Sequence, residues 1–142
     1  MDFSTVNWLA VLACVVVSMI SGALWYHPKV FFNAWWTGIG KTKGEEPDRE
    51  NMGMTWALTL ISAFVQAVAL SFMVTAMGGL MSTGISAGSG ALTGFMLWLG
   101  FVAPTALVNK LFAGQGLKVW AIEIGNHLVN FVLFGAILGA WR

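Results

Sequence analysis

Four long apolar runs divide this chain, and its polar residues are concentrated in the segments between them. The runs cover residues 5–26, 54–77, 84–110 and 118–141. A helix rises about 1.5 Å per residue, so each run is long enough to cross the roughly 30 Å hydrocarbon core of a bilayer. The pattern predicts an all-α membrane protein with four transmembrane helices.

The connections between the runs predict how the helices are arranged. Residues 40–51 form the only long polar loop, and residues 28–39 place aromatic side chains at spacings near three and four. That spacing is typical of a short amphipathic helix lying in the membrane interface. The other two connections are short, which favours antiparallel neighbours. We therefore expect one domain over residues 1–142, an antiparallel four-helix bundle with an interfacial helix after the first span.

Composition supports the membrane assignment and excludes other classes of protein. Apolar residues make up 58% of the chain and charged residues 9%, and the mean hydropathy is +0.78. Soluble domains carry about 25% charged residues. The net charge of +1 provides no field to attract nucleic acid, so the lipid bilayer is the expected partner. The single cysteine, Cys14, excludes an intrachain disulfide.

The distribution of Lys and Arg predicts the orientation in the membrane. Six of these residues fall in or beside the first and third connections, whereas Arg142 alone falls on the other side. Short loops rich in Lys and Arg stay in the cytoplasm. Both termini are therefore expected outside. The six residues are Lys29, Lys41, Lys43, Arg49, Lys110 and Lys118.

Small residues and one proline predict how the helices pack. Small side chains four residues apart allow membrane helices to approach closely, and three of the runs contain such ridges. We expect a tight bundle or a homo-oligomer. Pro104 lies inside the third run and removes one backbone hydrogen bond, which predicts a kink near Asn109. The ridges are Ser18/Gly22, Ser86/Gly90/Gly94 and Gly135/Gly139.

A stripe of polar residues follows one face of the last run. Its members fall within an arc of about 100° on a helix, and they include an acid, which costs roughly 2.5–3.5 kcal/mol in the hydrocarbon layer. Such a face is expected to point inward. We predict a polar pocket open to the cytoplasmic side, to which the first three runs also contribute. The candidate binding or proton-relay residues are Glu123, His127, Asn126, Asn130, Gln66, Asn109 and Tyr26.

The chemistry of this stripe leaves three classes of function open. Glu123 and His127 are four residues apart, so they could share a proton or form an ion pair. We favour a small transporter, or a protein that binds a solute or proton. The alternative is a non-catalytic accessory or scaffold protein, whose stripe only fixes helix packing and whose segment 28–39 meets a partner.

An enzyme is the third class. No Ser/His/Asp set, paired acids or phosphate-binding glycine loop is visible, so we assign no catalytic residue. Glu123 and His127 could supply two metal ligands, and His27 could approach them as a third. A catalytic zinc site normally has three protein ligands at a well-defined spacing, which these residues lack. We therefore expect neither a metal nor a cofactor.

The corner after the first run resembles a known family. It reads Gly-x-x-Trp-Tyr-x-Pro-x-x-Phe-x-x-x-Trp from Gly22 to Trp35, and the pattern is similar to that of domain of unknown function 1761 (DUF1761). The resemblance implies a small four-helix protein of the bacterial inner membrane with no established activity. The sequence departs from the family at His27, where a smaller residue is expected, and at Glu123, where Asp is more usual. The family is also similar in an early Asn, here Asn7, and in an acid followed by a His in the last run, here Glu123 and His127.

Overall fold

The computed structural model describes residues 2–47, 50–82 and 84–142, and these residues form helices and their connections without any strand. Arg49, which contributed to the predicted orientation, lies outside the described residues. A short 3₁₀ turn precedes the first helix, and a π-helical turn separates the fourth from the fifth. The helices are α1 (Trp8–Trp25), α2 (Phe32–Gly38), α3 (Met52–Leu80), α4 (Ala87–Leu97), α5 (Ala103–Phe112) and α6 (Gly116–Ala140).

Four helical segments are long and apolar enough to cross a membrane. They are α1, α3, the continuous stretch from Ala87 to Phe112, and α6, with mean hydropathies of 2.2, 2.1, 1.8 and 1.6. These segments occur where the apolar runs predicted them, with ends that differ by a few residues. The prediction of an all-α protein with four candidate membrane spans is confirmed. The segment at 28–39 contains α2, which is seven residues long.

The last helix, α6, lies at the centre of the packing. It contacts each of the other five helices, whereas α2 packs mainly against α6. Buried apolar side chains of α1, α3 and α6 form the core, among them Val11, Cys14, Leu70 and Phe134. Any polar group on α6 is therefore within reach of several other elements.

Contacts between α1 and α6 extend over most of their lengths. Near the start of α1, the Asn7 amide donates to the Trp141 carbonyl oxygen at 3.4 Å. Near its end, the Trp25 indole donates to the Ile122 carbonyl oxygen at 2.8 Å. Residue numbers rise along α1 as they fall along α6, so the two helices run in opposite directions.

The closest helix pair is α4 and α6, which meet backbone to backbone. A methyl group added at Gly90 would overlap the Gly135 carbonyl oxygen, and one at Gly94 would overlap that of Phe131. At the other end of the contact, Gly139 lies against the Ser86 carbonyl oxygen. Small residues permit such an approach in membrane helices. These two predicted ridges therefore pack against each other within one chain.

The third span is irregular just before Pro104 rather than near Asn109. Residues Trp98–Val102 form a π-helical turn, and the backbone N–H of Ala103 donates to the Trp98 carbonyl oxygen. Proline lacks an N–H and its ring clashes with the carbonyl four residues earlier. The disturbance therefore falls on the N-terminal side of Pro104, which is why the expected position was wrong.

Candidate functional site

Glu123 joins α6 to two other elements through both of its carboxylate oxygens. The Lys110 ammonium of α5 lies 2.9 Å from Oε2, and the Trp35 indole of α2 donates to Oε1 at 2.9 Å. The Glu123 and Lys110 side chains are each 21% exposed. Lys110 also donates to the Gln115 side chain at 2.9 Å. An acid about 10 Å along α6 from Gly116 thus has partners on α2 and α5.

Two further indoles bind the backbone on either side of Glu123. Trp25 at the end of α1 donates to the Ile122 carbonyl oxygen at 2.8 Å, and Trp98 donates to the Ile124 carbonyl oxygen at 2.9 Å. Partly buried indole N–H groups need such acceptors. Three tryptophans therefore converge on three consecutive residues of α6. We call Glu123, Lys110, Trp25, Trp35 and Trp98 the Glu123 cluster.

Gly125 creates the space that Trp25 occupies. A methyl group on Gly125 would lie 2.6 Å from Cζ2 of the Trp25 ring. The same ring contacts Phe31, with ring centroids 4.8 Å apart. The end of α1, the segment before α2 and the face of α6 thus meet at one indole ring.

Tyr26 is the predicted site residue that packs beside the cluster. It follows the last residue of α1, and its ring meets that of Trp35 edge to face at 5.3 Å. Burial raises the pKa of the Tyr26 phenol to about 12, and the negative charge of Glu123 adds to this effect. The phenol is therefore neutral at physiological pH.

The other polar residues of the α6 stripe have different surroundings. Asn126 is buried and its amide donates to the Ser21 hydroxyl of α1 at 2.9 Å. His127 is half-buried, and in the described ranges its side chain forms no hydrogen bond. Within the same ranges, the buried Oδ1 of Asn130 has no partner. The side chains of Glu123 and Asn126 thus have hydrogen-bond partners. Those of His127 and Asn130, one and two turns further along α6 from Glu123, lack partners for some of their polar atoms among the described residues.

The carboxylate of Glu123 pairs with Lys110 rather than with His127. Both oxygens are already occupied by groups of other helices, and no bond joins Glu123 to His127 among the residues described. A helical spacing of four residues places two side chains on one face but does not decide which other helix supplies a closer partner.

Gln66 and Asn109 do not reach the cluster. The Gln66 amide donates to the Ser62 hydroxyl of its own helix at 3.1 Å, and Asn109 is exposed. Apolar side chains of α3 and α6, including Leu70 and Phe134, pack together in the core, whereas Gln66 bonds within its own helix. The reason is the rotation of α3, which directs its small and branched residues, rather than Gln66, at α6.

Sequence reasoning missed four members of the cluster. Lys110 contributed only to the predicted orientation, and Trp25 and Trp35 entered only as part of the corner pattern. Two features of the sequence could have indicated these residues. An indole N–H in an apolar segment requires an acceptor, and the short turn at Gly114 and Gly116, both with positive φ, folds α5 back along α6. The missed residues are Lys110, Trp25, Trp35 and Trp98.

Comparison with known proteins gives one match. Residues 9–139 match a family described as a protein of unknown function (DUF1761). Neither a curated protein nor a solved structure matches the chain. The match spans nearly the whole chain and includes every member of the Glu123 cluster.

Proposed function

The chain belongs to the DUF1761 family of unknown function, and from the geometry of its site we propose that it is a non-catalytic accessory or scaffold protein of the membrane. One observation carries this proposal: both carboxylate oxygens of Glu123 are bound by other elements, Lys110 of α5 and Trp35 of α2. A carboxylate whose two oxygens both bind side chains of other helices holds those helices in fixed positions. Interhelical polar bonds are a common means of fixing membrane helices against one another.

The proposed role of the cluster is to hold α2 in one position at the membrane surface. Trp36 of α2 is buried, and Gly38 approaches the Val119 side chain of α6 so closely that a methyl group would lie 2.5 Å from Cγ2. Together with the Trp35 bond, these contacts fix the inner face of α2. Asn33 and Thr37 are exposed on the other face, which we propose as the surface presented to a partner protein.

We further propose the arrangement in the membrane. The opposite directions of the α1–α6 and α4–α6 pairs support an antiparallel four-helix bundle, and the aromatic residues of α2 support an interfacial position for it. The excess of Lys in the first connection and beside the third supports termini on the outer side of a bacterial inner membrane. The glycine ridges of α4 and α6 are already used within the chain, so they do not serve as a contact between two copies. The homo-oligomer stays a prediction.

Site-specific photo-crosslinking in cells tests the scaffold proposal. A crosslinking residue at Asn33 or Thr37 should capture one defined protein, and Trp35→Phe, which removes the bond to Glu123, should reduce that product severalfold. Leu58 on α3 is exposed and distant in sequence from α2, so it serves as the control position. Equal capture at Leu58, or capture unaffected by Trp35→Phe, would refute the role of the cluster in presenting α2.

A second candidate function rests on the deeper part of the stripe. His127 has no hydrogen bond in the described chain and Asn130 has a buried oxygen without a partner there. Inside a bilayer such groups are expensive unless water, a solute or a proton satisfies them. This favours a solute- or proton-binding role for the polar stripe of α6, which consists of Glu123, Asn126, His127 and Asn130.

Proton flux tests the second candidate. Reconstituted vesicles with an internal pH dye should show a leak or coupled flux that disappears in His127→Ala while thermal stability is retained. If flux equals that of protein-free vesicles, the proton-relay form of this second candidate is rejected. The scaffold proposal makes no claim on this measurement.

A further inference from the structure

An open apolar groove runs along the surface between α1 and α6, and its lining includes Trp25 but not Glu123. Its volume is about 520 Å³, which lies within the range of about 300–1,000 Å³ typical of ligand sites. The only polar side-chain oxygen on its wall is that of Ser21, which already accepts a hydrogen bond from Asn126. The groove is bounded by Val17, Ile20, Leu24, Trp25, Phe31 and Leu133.

The groove has the length of an acyl chain segment within one leaflet. From Val17 to Trp25 the helix rises about 12 Å, while half of the hydrocarbon core is about 15 Å. One end is therefore near the middle of the bilayer. The other end is at the Trp25–Phe31 corner, where aromatic side chains mark the interface.

An exposed cation lies beside the interfacial end. Lys29 directly precedes Val30 and Phe31, which both line the groove, and it is exposed. Lys29 forms no ion pair within the described ranges, in contrast to Lys41 and Lys110. The sequence contains no acidic residue between Asp2 and Glu45, so the nearest acid along the chain is 16 residues from Lys29.

The shape of the groove favours a flexible chain over another helix. Membrane helices associate through small residues that allow close backbone contact. Apart from Ser21, the groove is lined by branched and aromatic side chains, which leave a concave surface. A lipid tail can follow such a surface because it has no fixed shape of its own.

We propose that this groove binds one anionic phospholipid, with an acyl chain between α1 and α6 and its phosphate at the Lys29 ammonium. The inference goes beyond the scaffold proposal and does not depend on it. It requires only that the groove lies in the bilayer and that its interfacial end carries a positive charge. Anionic headgroups are attracted to Lys residues at this depth.

Native mass spectrometry of the full chain tests the proposal. The purified protein is titrated with phosphatidylglycerol and with phosphatidylcholine of the same acyl chains. We expect one tightly retained phosphatidylglycerol, bound about fivefold or more tightly than phosphatidylcholine. Lys29→Glu should abolish this preference, whereas Lys43→Glu, in the polar loop, should preserve it.

Filling the groove provides the second arm. Leu133→Trp should reduce binding of both lipids, while Leu58→Trp, an exposed position on α3 outside the groove, should not. Equal affinity for the two lipids in the wild type, or full retention by a folded Leu133→Trp variant, would overturn the proposal. Loss of a dimer in Leu133→Trp without loss of lipid would overturn it too, and would assign the groove to a second copy. If Leu133→Trp does not fold, the wild-type comparison and Lys29→Glu decide.

Discussion

At the scale of single residues, Glu123 has two oxygens with two different kinds of partner. Lys110 supplies a full charge and Trp35 supplies a neutral donor. A hydrogen bond to a charged group contributes about 1.5–3 kcal/mol, more than one between neutral groups. Loss of either partner would leave part of a half-buried charge unsatisfied, so the two contacts should be energetically coupled.

A double-mutant cycle measures the interaction energy between Glu123 and Lys110. Glu123→Gln and Lys110→Met should each lower the free energy of unfolding by about 1–3 kcal/mol, and the double variant should lose clearly less than their sum. Reversible unfolding in mixed micelles provides the measurement. Lys118→Met, which removes an exposed cation without an ion pair in the described structure, should change stability by less than about 0.5 kcal/mol. Strict additivity would show that the pair contributes no interaction energy.

The phenol of Tyr26 reports the charge on Glu123. Its pKa is raised to about 12, first by burial and then by the carboxylate. Removing the negative charge favours the phenolate, so Glu123→Gln should lower the Tyr26 pKa while burial keeps it above the ordinary 10.0. Tyr26 is the only tyrosine, so tyrosinate absorbance follows it directly. An unchanged Tyr26 pKa in Glu123→Gln would show that the Glu123 carboxylate does not act on the phenol.

At the scale of helices, the α4–α6 contact depends on the absence of side chains. Gly90 and Gly135 lie against each other's carbonyl oxygens, and Gly139 lies against Ser86. A backbone cannot yield as a flexible side chain does, so added volume must move a whole helix. Since α6 also carries Glu123, such a movement would disturb the cluster as well.

Two alanine substitutions in α4 should act in opposite directions. Gly90→Ala should destabilise the protein by about 1–3 kcal/mol, because its methyl group would overlap the Gly135 carbonyl oxygen. Gly88→Ala, whose methyl group would find only the Ser86 hydroxyl at 3.8 Å, should be neutral or stabilising by up to about 1 kcal/mol. Thermal unfolding in one detergent compares them. Equal effects would mean that the close contact is not important for stability.

At the scale of the whole molecule, one helix organises the fold. Every other helix contacts α6, and three of the four described Lys and Arg residues outside the helices lie between α1 and α3, namely Lys29, Lys41 and Lys43. Charge distribution sets orientation because translocating Lys and Arg across the membrane is unfavourable. The orientation is therefore a property of the loops, whereas the packing is a property of α6.

Reporter fusions test the orientation. A periplasm-dependent reporter after Arg142 should be active, and the same reporter inserted after Gly44 in the first connection should be inactive. Neutralising Lys41 and Lys43 together should weaken this preference, since they contribute to the positive side. Activity with the opposite distribution would show that the termini are inside, and would place α2 and the Lys29 end of the groove in the outer leaflet.

The sequence by itself determined the features that depend on local composition. Apolar runs of sufficient length specified four helices that are long and apolar enough to cross a membrane, and the small-residue ridges predicted a tight bundle or a homo-oligomer, because periodicity and side-chain volume are local properties. The Trp-Tyr-x-Pro corner likewise identified the family.

Only the tertiary structure decided which groups meet. Glu123 lies four residues from His127 in the helix yet binds Lys110 and Trp35, and Gln66 turns to Ser62 of its own helix. The rotation of each helix about its axis and its vertical offset choose these partners. In a bilayer both depend on many weak packing contacts between distant segments, and no single run of residues encodes them.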